Sequence, residues 1–164
     1  MSDEDKKKQM AILKEAVESA PLPEDPYLMN RLGNCGNRHQ GKRKKVLCVC
    51  SAGLLRSPTA AVVLAQEYGY NTRSCGMFRE FALIPMDEVL LTWADEIVTM
   101  ESQHGKRVMQ ELDRLGLEGK TVIELGVPDK FGYMDEKLVE LIKAHYSAAI
   151  AVDVAANEER GTVQ

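Results

Sequence analysis

The feature that most constrains the fold of this chain is an apolar run that ends in a small loop and continues into a helix. Residues 46–49 read Val-Leu-Cys-Val, which is typical of a buried parallel strand. A seven-residue loop from Cys50 to Arg56 follows, and Pro58 then lies in the first turn of an apolar segment that is predicted to be helical. A strand, a short loop and a helix in this order predict one unit of an α/β fold.

The rest of the chain repeats this alternation. Strands are predicted at residues 46–50, 72–75, 96–100 and 121–125, and helices at about 58–68, 86–92, 103–116 and 135–156. This order predicts an α/β fold with a four-stranded parallel sheet and helices on both faces. Functional residues of such sheets collect at the carboxyl ends of the strands, so we expect three loops to meet there, after residues 50, 100 and 125.

The domain organisation follows from the same patterns. The α/β pattern spans one domain, which is large enough to bury a core. A helix is predicted over residues 3–20, and prolines end it. The segment after it shows no clear period and ends in a basic run, residues 42–45. We therefore divide the chain into an N-terminal helix and irregular basic arm (1–45), an α/β domain (46–158) and a C-terminal tail (159–164).

The loop after the first strand combines a nucleophile with an anion site. Backbone N–H groups and the dipole of the following helix favour negative charge, and the same field would hold Cys50 as a thiolate. Arg56 offers a planar fork for two phosphate oxygens, and Ser57 can donate its hydroxyl to the cysteine sulfur or cap the helix. We predict Cys50 and Arg56 as catalytic residues. The predicted phosphate-binding residues are Ser51, Ala52, Gly53, Leu54, Leu55, Arg56 and Ser57.

Thiolate attack on phosphorus requires an acid for the leaving oxygen. Asp129 follows the last predicted strand by four residues, and the rings of Phe131 and Tyr133 beside it could sandwich a phenyl group. We predict Asp129 as the catalytic acid, although the residue could also simply begin a turn. Asp135 is the alternative acid, but it directly precedes a predicted helix, where an N-cap role is expected.

Composition excludes several other classes of protein. The formal net charge of −4 gives no general argument for nucleic acid binding, and the basic run lies at the opposite end of the first strand from Cys50. We expect no membrane span, no secretory signal and a reducing cytoplasmic location, since the four cysteines form no disulfide framework. The spacing of Cys35, His39, Cys48 and Cys50 matches no common zinc pattern, so no metal is expected. Surface or capping roles are expected for His104 and His145.

The motifs resemble those of the low-molecular-weight protein tyrosine phosphatases, in particular a short bacterial-type subgroup. The resemblance covers about residues 46–150 and rests on segments 46–50, 56–60, 73–76, 93–100, 128–129 and 133–135. It implies Cys50 as nucleophile, Arg56 as phosphate clamp, Ser57 as thiolate stabiliser and Asp129 as general acid. It also implies a two-step route through a cysteinyl-phosphate without a cofactor, acting on a phosphorylated protein or a small aryl phosphate.

Three positions depart from that family. Gly53 stands where the family usually has an Asn that ties the loop together, Leu55 stands where many members have a second cysteine, and Lys130 replaces the proline that usually follows the acid. Because Gly53 lacks the hydrogen bonds of that Asn side chain, a looser loop is expected. This leaves an alternative function, a phosphate-binding module with little turnover that would dock a phosphorylated partner. Arsenate reduction ranks lower, because it needs further cysteines and only Cys75 lies downstream of the loop.

Overall fold

The computed structural model describes residues 2–5, 7–8 and 43–162. Four strands and four helices alternate along the main part of the chain, with residues 3–5 and 7–8 also helical. The strands are β1 (Lys45–Cys50), β2 (Asn71–Gly76), β3 (Glu96–Thr99) and β4 (Thr121–Glu124). The helices are α1 (Arg56–Tyr68), α2 (Glu88–Trp93), α3 (Ser102–Leu115) and α4 (Glu136–Thr162).

The strands form one parallel four-stranded sheet, as predicted, and their order within it is β2-β1-β3-β4. Alternate residues of β1 point to opposite faces, and both faces are buried. Val46 and Cys48 pack with α1 and α4 in one core, whereas Leu47 and Val49 pack with α2 and α3 in the other. The sheet is therefore covered on both faces, which explains the continuous apolar run of β1.

Two helices differ from their predicted bounds. The α2 helix begins at Glu88 rather than near residue 86, because the Asp87 carboxylate accepts a hydrogen bond from the Leu90 N–H at 2.8 Å and so caps the helix. The α4 helix continues to Thr162, beyond the predicted end at 156, since no proline or glycine interrupts it before Gly161. Of the predicted helix over residues 3–20, only 3–5 and 7–8 are described, and these residues are helical. The irregular part of the arm, up to residue 42, lies outside the described residues.

The buried carboxylate of Glu96 lies at the amino edge of the sheet. Glu96 is the first residue of β3 and is 2% exposed. It pairs with Lys44 at 2.6 Å and accepts a hydrogen bond at 2.7 Å from the hydroxyl of Tyr146 on α4. Burial, together with bonding to Tyr70 and Glu96, raises the pKa of that hydroxyl. The pairing ties α4 to the sheet at the edge opposite the loop that follows β1.

Candidate active site

The loop from Cys50 to Arg56 lies where the strand order reverses. The chain leaves β1 toward β2 on one side and later returns to β3 on the other, so the carboxyl ends of β1 and β3 open a crevice. The α1 helix begins at this crevice. Among the described residues, no side chain caps its N-terminus and no acidic residue lies in its first turn. Its positive end is therefore available to an anion.

The sulfur of Cys50 lies inside the loop and has two polar neighbours. The Gly53 N–H donates to Sγ at 3.2 Å, and the Ser57 Oγ lies 3.1 Å from it. The same Ser57 hydroxyl also lies 3.2 Å from the Cys75 carbonyl oxygen, to which it can donate. The single hydroxyl proton of Ser57 can thus turn to the carbonyl when Cys50 is a thiol and to the sulfur when it is a thiolate.

The backbone of the loop forms a cradle of N–H groups. The carbonyls of Cys50, Ser51 and Ala52 point away from its centre and accept hydrogen bonds from the N–H groups of residues 77, 78 and 83. In a planar trans peptide the N–H points opposite to the carbonyl. The N–H groups of residues 51–53 therefore point into the loop, as the bond from Gly53 to the sulfur shows.

Gly53 makes this arrangement sterically feasible. It has a φ of +71°, and an added Cβ would lie 2.7 Å from the Gly76 nitrogen and 2.8 Å from the Cys75 carbonyl carbon. The loop therefore packs directly on the backbone at the end of β2. Glycine is required here both for its conformation and for this close approach.

Arg56 is 1% exposed and is held from several sides. Its Nη1 donates to the carboxylate of Glu101 and, at 2.9 Å, to the carbonyl of Val127. Among the described residues, the opposite edge makes two long contacts, from Nε to Asp129 and from Nη2 to Ser51, each of 3.5 Å. That edge has the spacing of a bidentate phosphate contact, while Nη1 anchors the side chain.

Sequence reasoning missed Glu101, although it lies at the carboxyl end of β3, where site residues collect. The hydrogen bond from Arg56 is the main cause that lowers the pKa of the Glu101 carboxyl, with burial opposing it. Glu101 also begins α3 as one half of a capping box with His104.

His104 has the predicted capping role, but it is fully buried and does more than cap. The Glu101 N–H donates to its Nδ1 at 3.0 Å, and its Nε2 lies 3.0 Å from the Ser51 hydroxyl in the loop. Burial, and then the positive charge of Arg56, lower the pKa of the imidazole. His145, by contrast, lies on α4 and contacts the Leu125 carbonyl at 2.6 Å.

The loop after β4 brings Asp129 to the site. Its carboxylate lies 3.5 Å from the Arg56 Nε, and its side chain is 63% exposed, which leaves it accessible to a bound molecule. Asp135 lies at the start of α4, where its carboxylate accepts from the Lys137 N–H at 2.9 Å. The three predicted loops therefore meet at one edge. Within the part of the chain that the structure describes, Asp129 forms an ion pair with Arg56 and Asp135 does not.

Exposed apolar side chains flank the mouth of the site. The Leu83 N–H bonds to the loop at Ala52, and the Met134 N–H donates at 3.0 Å to Thr59 in the first turn of α1, so two segments adjoin the loop. Phe131 packs partly against the core rather than standing free beside the site. The exposed side chains, which we term the apolar collar, are Leu54, Leu55, Phe81, Leu83, Tyr133 and Met134.

Within residues 2–5, 7–8 and 43–162, no group of three His, Cys, Asp or Glu side chains is placed to hold a metal ion. In the same part of the chain, no helix has the length and apolar character needed to cross a membrane. Cys35 and His39 lie outside the described residues.

Comparison with known proteins identifies the fold. The structure of a low molecular weight protein tyrosine phosphatase from Streptococcus pyogenes is similar, with a TM-score of 0.52 and 16% identity over 66% of this chain and 91% of that chain. The fold of this chain is therefore that of the low molecular weight protein tyrosine phosphatases, as the resemblance implied.

Two other solved structures are also similar to this chain. One is an arginine phosphatase from Geobacillus stearothermophilus, with a TM-score of 0.48 and 18% identity over 74% of this chain and 97% of that chain. The other is a thioredoxin-dependent arsenate reductase from Corynebacterium glutamicum, with a TM-score of 0.47 and 14% identity over 79% of this chain and 73% of that chain. No family model and no curated protein sequence matches the chain.

Proposed function

We propose that this protein is a cysteine-dependent phosphatase that hydrolyses phosphotyrosine or another aryl phosphate monoester. The observation that carries the proposal is the surroundings of Cys50. Its sulfur accepts from the Gly53 N–H at 3.2 Å and lies 3.1 Å from the Ser57 hydroxyl, at the uncapped start of α1. A nucleophile within an anion-binding loop is what phosphoryl transfer to cysteine requires.

In the first step the Cys50 thiolate attacks phosphorus. The S–P bond forms, the P–O bond to the alcohol breaks, and Asp129 gives its proton to the departing oxygen. The Nε and Nη2 groups of Arg56 and the loop N–H groups bind the phosphoryl oxygens, on which negative charge concentrates. In the second step water attacks the cysteinyl-phosphate, its proton passes to Asp129, and Cys50 leaves as a thiolate that Ser57 stabilises.

The geometry favours Asp129 over Asp135 as the acid. The Asp129 carboxylate lies beside the Arg56 edge that would bind phosphate, and it is exposed where a leaving group would depart. The Asp135 carboxylate is engaged by the backbone at the start of α4. Proton transfer requires hydrogen-bond reach to the reacting oxygen, and the position of Asp129 beside the phosphate-binding edge of Arg56 supports this role.

The apolar collar supports an aryl or otherwise apolar leaving group. Six large apolar side chains stay exposed on segments that adjoin the loop, namely Leu54, Leu55, Phe81, Leu83, Tyr133 and Met134. A ring carrying the phosphate can remove part of this surface from water, which a small polar alcohol cannot do. Phosphorylated proteins with an accessible phosphotyrosine are the corresponding macromolecular substrates.

Turnover of p-nitrophenyl phosphate in a buffer containing a metal chelator tests the proposal. We expect activity in the wild type, none in Cys50→Ser, and retained phosphate binding in that variant. Iodoacetate should alkylate Cys50 before Cys48 and Cys75, as located by mass spectrometry, because the Gly53 N–H and the Ser57 hydroxyl stabilise its thiolate, whereas burial raises the pKa of the other two thiols. Phosphate bound in the loop should protect Cys50. Full activity of Cys50→Ser would contradict the proposal.

A phosphate-binding module with little turnover is the second candidate function. The observation behind it is the packing of Gly53 on β2, which holds the loop in place for phosphate although the Asn side chain typical of the family is missing. Phosphate protection of Cys50 together with no aryl phosphate turnover would select this candidate. Arsenate reduction ranks below both, because the fully buried Cys75 belongs to the core on one face of the sheet and Cys50 to the core on the other.

A further inference from the structure

A closed ring of contacts joins the phosphate loop to the start of α3. Arg56 Nη1 donates to the Glu101 carboxylate, and the Glu101 N–H donates to His104 Nδ1 at 3.0 Å. His104 Nε2 lies 3.0 Å from Ser51 Oγ. Arg56 Nη2 also donates to Ser51 Oγ, at 3.5 Å, and this contact completes the ring. Neither Ser51 Oγ nor His104 has a role in the chemical steps proposed above, although His104 is fully buried within reach of the loop.

This closed ring of contacts determines the tautomer of the His104 imidazole. Since Nδ1 accepts the Glu101 N–H, the neutral imidazole carries its proton on Nε2. That proton points to Ser51 Oγ, so Ser51 accepts the hydrogen bond. A buried donor left without this acceptor would be costly, and the bond therefore specifies one position for the Ser51 side chain.

The loop needs such a tether on this side. Its carbonyls are held by residues 77, 78 and 83 on the side of β2. Gly53 supplies no side chain to bind across the loop, and its backbone already packs on Gly76. Toward α3, the Ser51 hydroxyl and the Arg56 guanidinium make the contacts that hold the loop.

We infer that His104 is a positioning residue of the phosphate loop, because its Nε2–H holds Ser51 and thereby keeps the loop N–H groups and Arg56 in one phosphate-binding geometry. The inference rests on the proposed function in that the positioned loop is the one that binds the phosphoryl group. His104 itself touches no phosphate oxygen in this proposal.

Two substitutions separate the tether from the helix cap. In His104→Asn the amide oxygen can still accept the Glu101 N–H, but nothing reaches Ser51. In His104→Gln the longer side chain can still donate to Ser51. Ser51→Ala removes the acceptor. The double variant of Ser51→Ala and His104→Asn completes a double-mutant cycle, which measures the coupling between the two side chains. Three quantities are measured for each variant. The apparent Kd of inorganic phosphate is obtained from the protection of Cys50 against iodoacetate. The others are the kcat and KM for p-nitrophenyl phosphate and the midpoint of thermal unfolding.

We expect His104→Asn and Ser51→Ala each to weaken phosphate binding about 3- to 10-fold. The double variant should lose no more than the larger single loss, and His104→Gln should stay closer to the wild type. Additive losses, or equal losses in the Asn and Gln variants, would overturn the inference. If His104→Asn does not fold, unchanged phosphate affinity in Ser51→Ala alone overturns it. These affinities need no turnover, so a protein that binds phosphate but hydrolyses nothing would refute only the proposed function.

Discussion

Gly53 is the residue whose substitution best tests how the loop is built. The family resemblance suggests that Asn at this position would improve the loop, but the structure leads us to expect the opposite. Asn tolerates the positive φ, yet its Cβ would lie 2.7 Å from the Gly76 nitrogen. Gly53→Asn should therefore lower the free energy of unfolding by about 1–3 kcal/mol and weaken phosphate binding.

Gly119→Asn is the matched control for this substitution. Gly119 has a φ of +78° and no atom within 4 Å of an added Cβ, so it retains the backbone strain without the collision. The Gly119→Asn variant should lose less than about 1 kcal/mol in the free energy of unfolding, and its affinity for phosphate should be unchanged. Chemical denaturation and phosphate protection of Cys50 measure both quantities. Equal losses in the two variants would mean that the contact with β2 is unimportant.

Asp129 and Asp135 differ in the chemistry that their positions allow. Asp129→Asn should lower kcat by about 10²- to 10⁴-fold for phenyl phosphate, whose leaving oxygen needs a proton. The loss should be smaller for p-nitrophenyl phosphate, because its leaving group departs with less help. Asp135→Asn should instead retain kcat and change the free energy of unfolding by less than about 0.5 kcal/mol, because the Asn amide oxygen can still accept the Lys137 N–H and cap the helix. The reverse pattern would reassign the acid to Asp135.

His104 makes stability depend on pH in a definite direction. Arg56 from α1, Glu101 from its own helix start and Asp129 from the loop before α4 are the charged groups that act on it, and its pKa in the folded protein lies below 6.5. At about pH 7.5 and above, the imidazole is largely neutral in both the folded and the unfolded chain. As pH falls below 6.5 the unfolded chain takes up the proton first, so stability contributed by neutral His104 is lost.

Urea denaturation at pH 7.5 and pH 5.5 checks this dependence. The wild type should lose more stability between these values than His104→Asn, which has no group titrating at this position. Glu101 also has a lowered pKa, but it is present in both proteins and cancels in the comparison to first order. An equal loss in the two proteins would contradict the assignment.

At the scale of the elements, α4 depends on a buried hydroxyl for part of its attachment. The Tyr146 hydroxyl donates to Glu96 at 2.7 Å, at the amino edge of the sheet. Tyr146→Phe would remove this hydrogen bond from the buried carboxylate while the ion pair with Lys44 remains, so we expect a loss of about 1–3 kcal/mol in the free energy of unfolding. The kcat/KM for p-nitrophenyl phosphate should change less than twofold, because the site lies at the opposite edge.

Tyr68→Phe provides the control for the ring cluster. Tyr68 stacks on Tyr70 and contacts the Tyr146 ring edge-on, and it is partly exposed. Removing its hydroxyl keeps the ring packing, so stability should change by less than about 0.5 kcal/mol. A comparable loss in both variants would assign the effect to the rings rather than to the bond with Glu96.

At the scale of the whole molecule, exposed apolar surface is concentrated at the carboxyl edge. Phe81→Ser and Leu83→Ser each remove one large side chain from the apolar collar, outside the phosphate loop. We expect the KM for a phosphotyrosine peptide with apolar flanking residues to rise about 3- to 10-fold, with kcat within twofold, because apolar contact is lost equally in the ground and transition states.

Val152→Ser is the control for the apolar collar. Val152 is 68% exposed on α4, so its substitution removes apolar surface away from the site. Its KM for the peptide should equal that of the wild type, and inorganic phosphate should bind all three variants alike. Unchanged KM in the two collar variants would restrict recognition to the phosphoryl group itself.

The sequence alone determined the order of strands and helices, and with it the sheet and the edge that carries the site. Apolar runs and helix signals are local, as is the spacing from Cys50 to Arg56, so these features could be predicted without the tertiary structure. The end of α4 was missed because no local stop signal marks it.

Only the tertiary structure decided how the loop is held. The contact of Gly53 with Gly76, the pairing of Arg56 with Glu101 and the approach of His104 to Ser51 each join segments from different strands. No local pattern encodes such distances, because they depend on the register and order of the strands in the sheet. The physical reason is that sequence periodicity specifies which face a residue occupies, whereas packing between elements specifies which residue it meets.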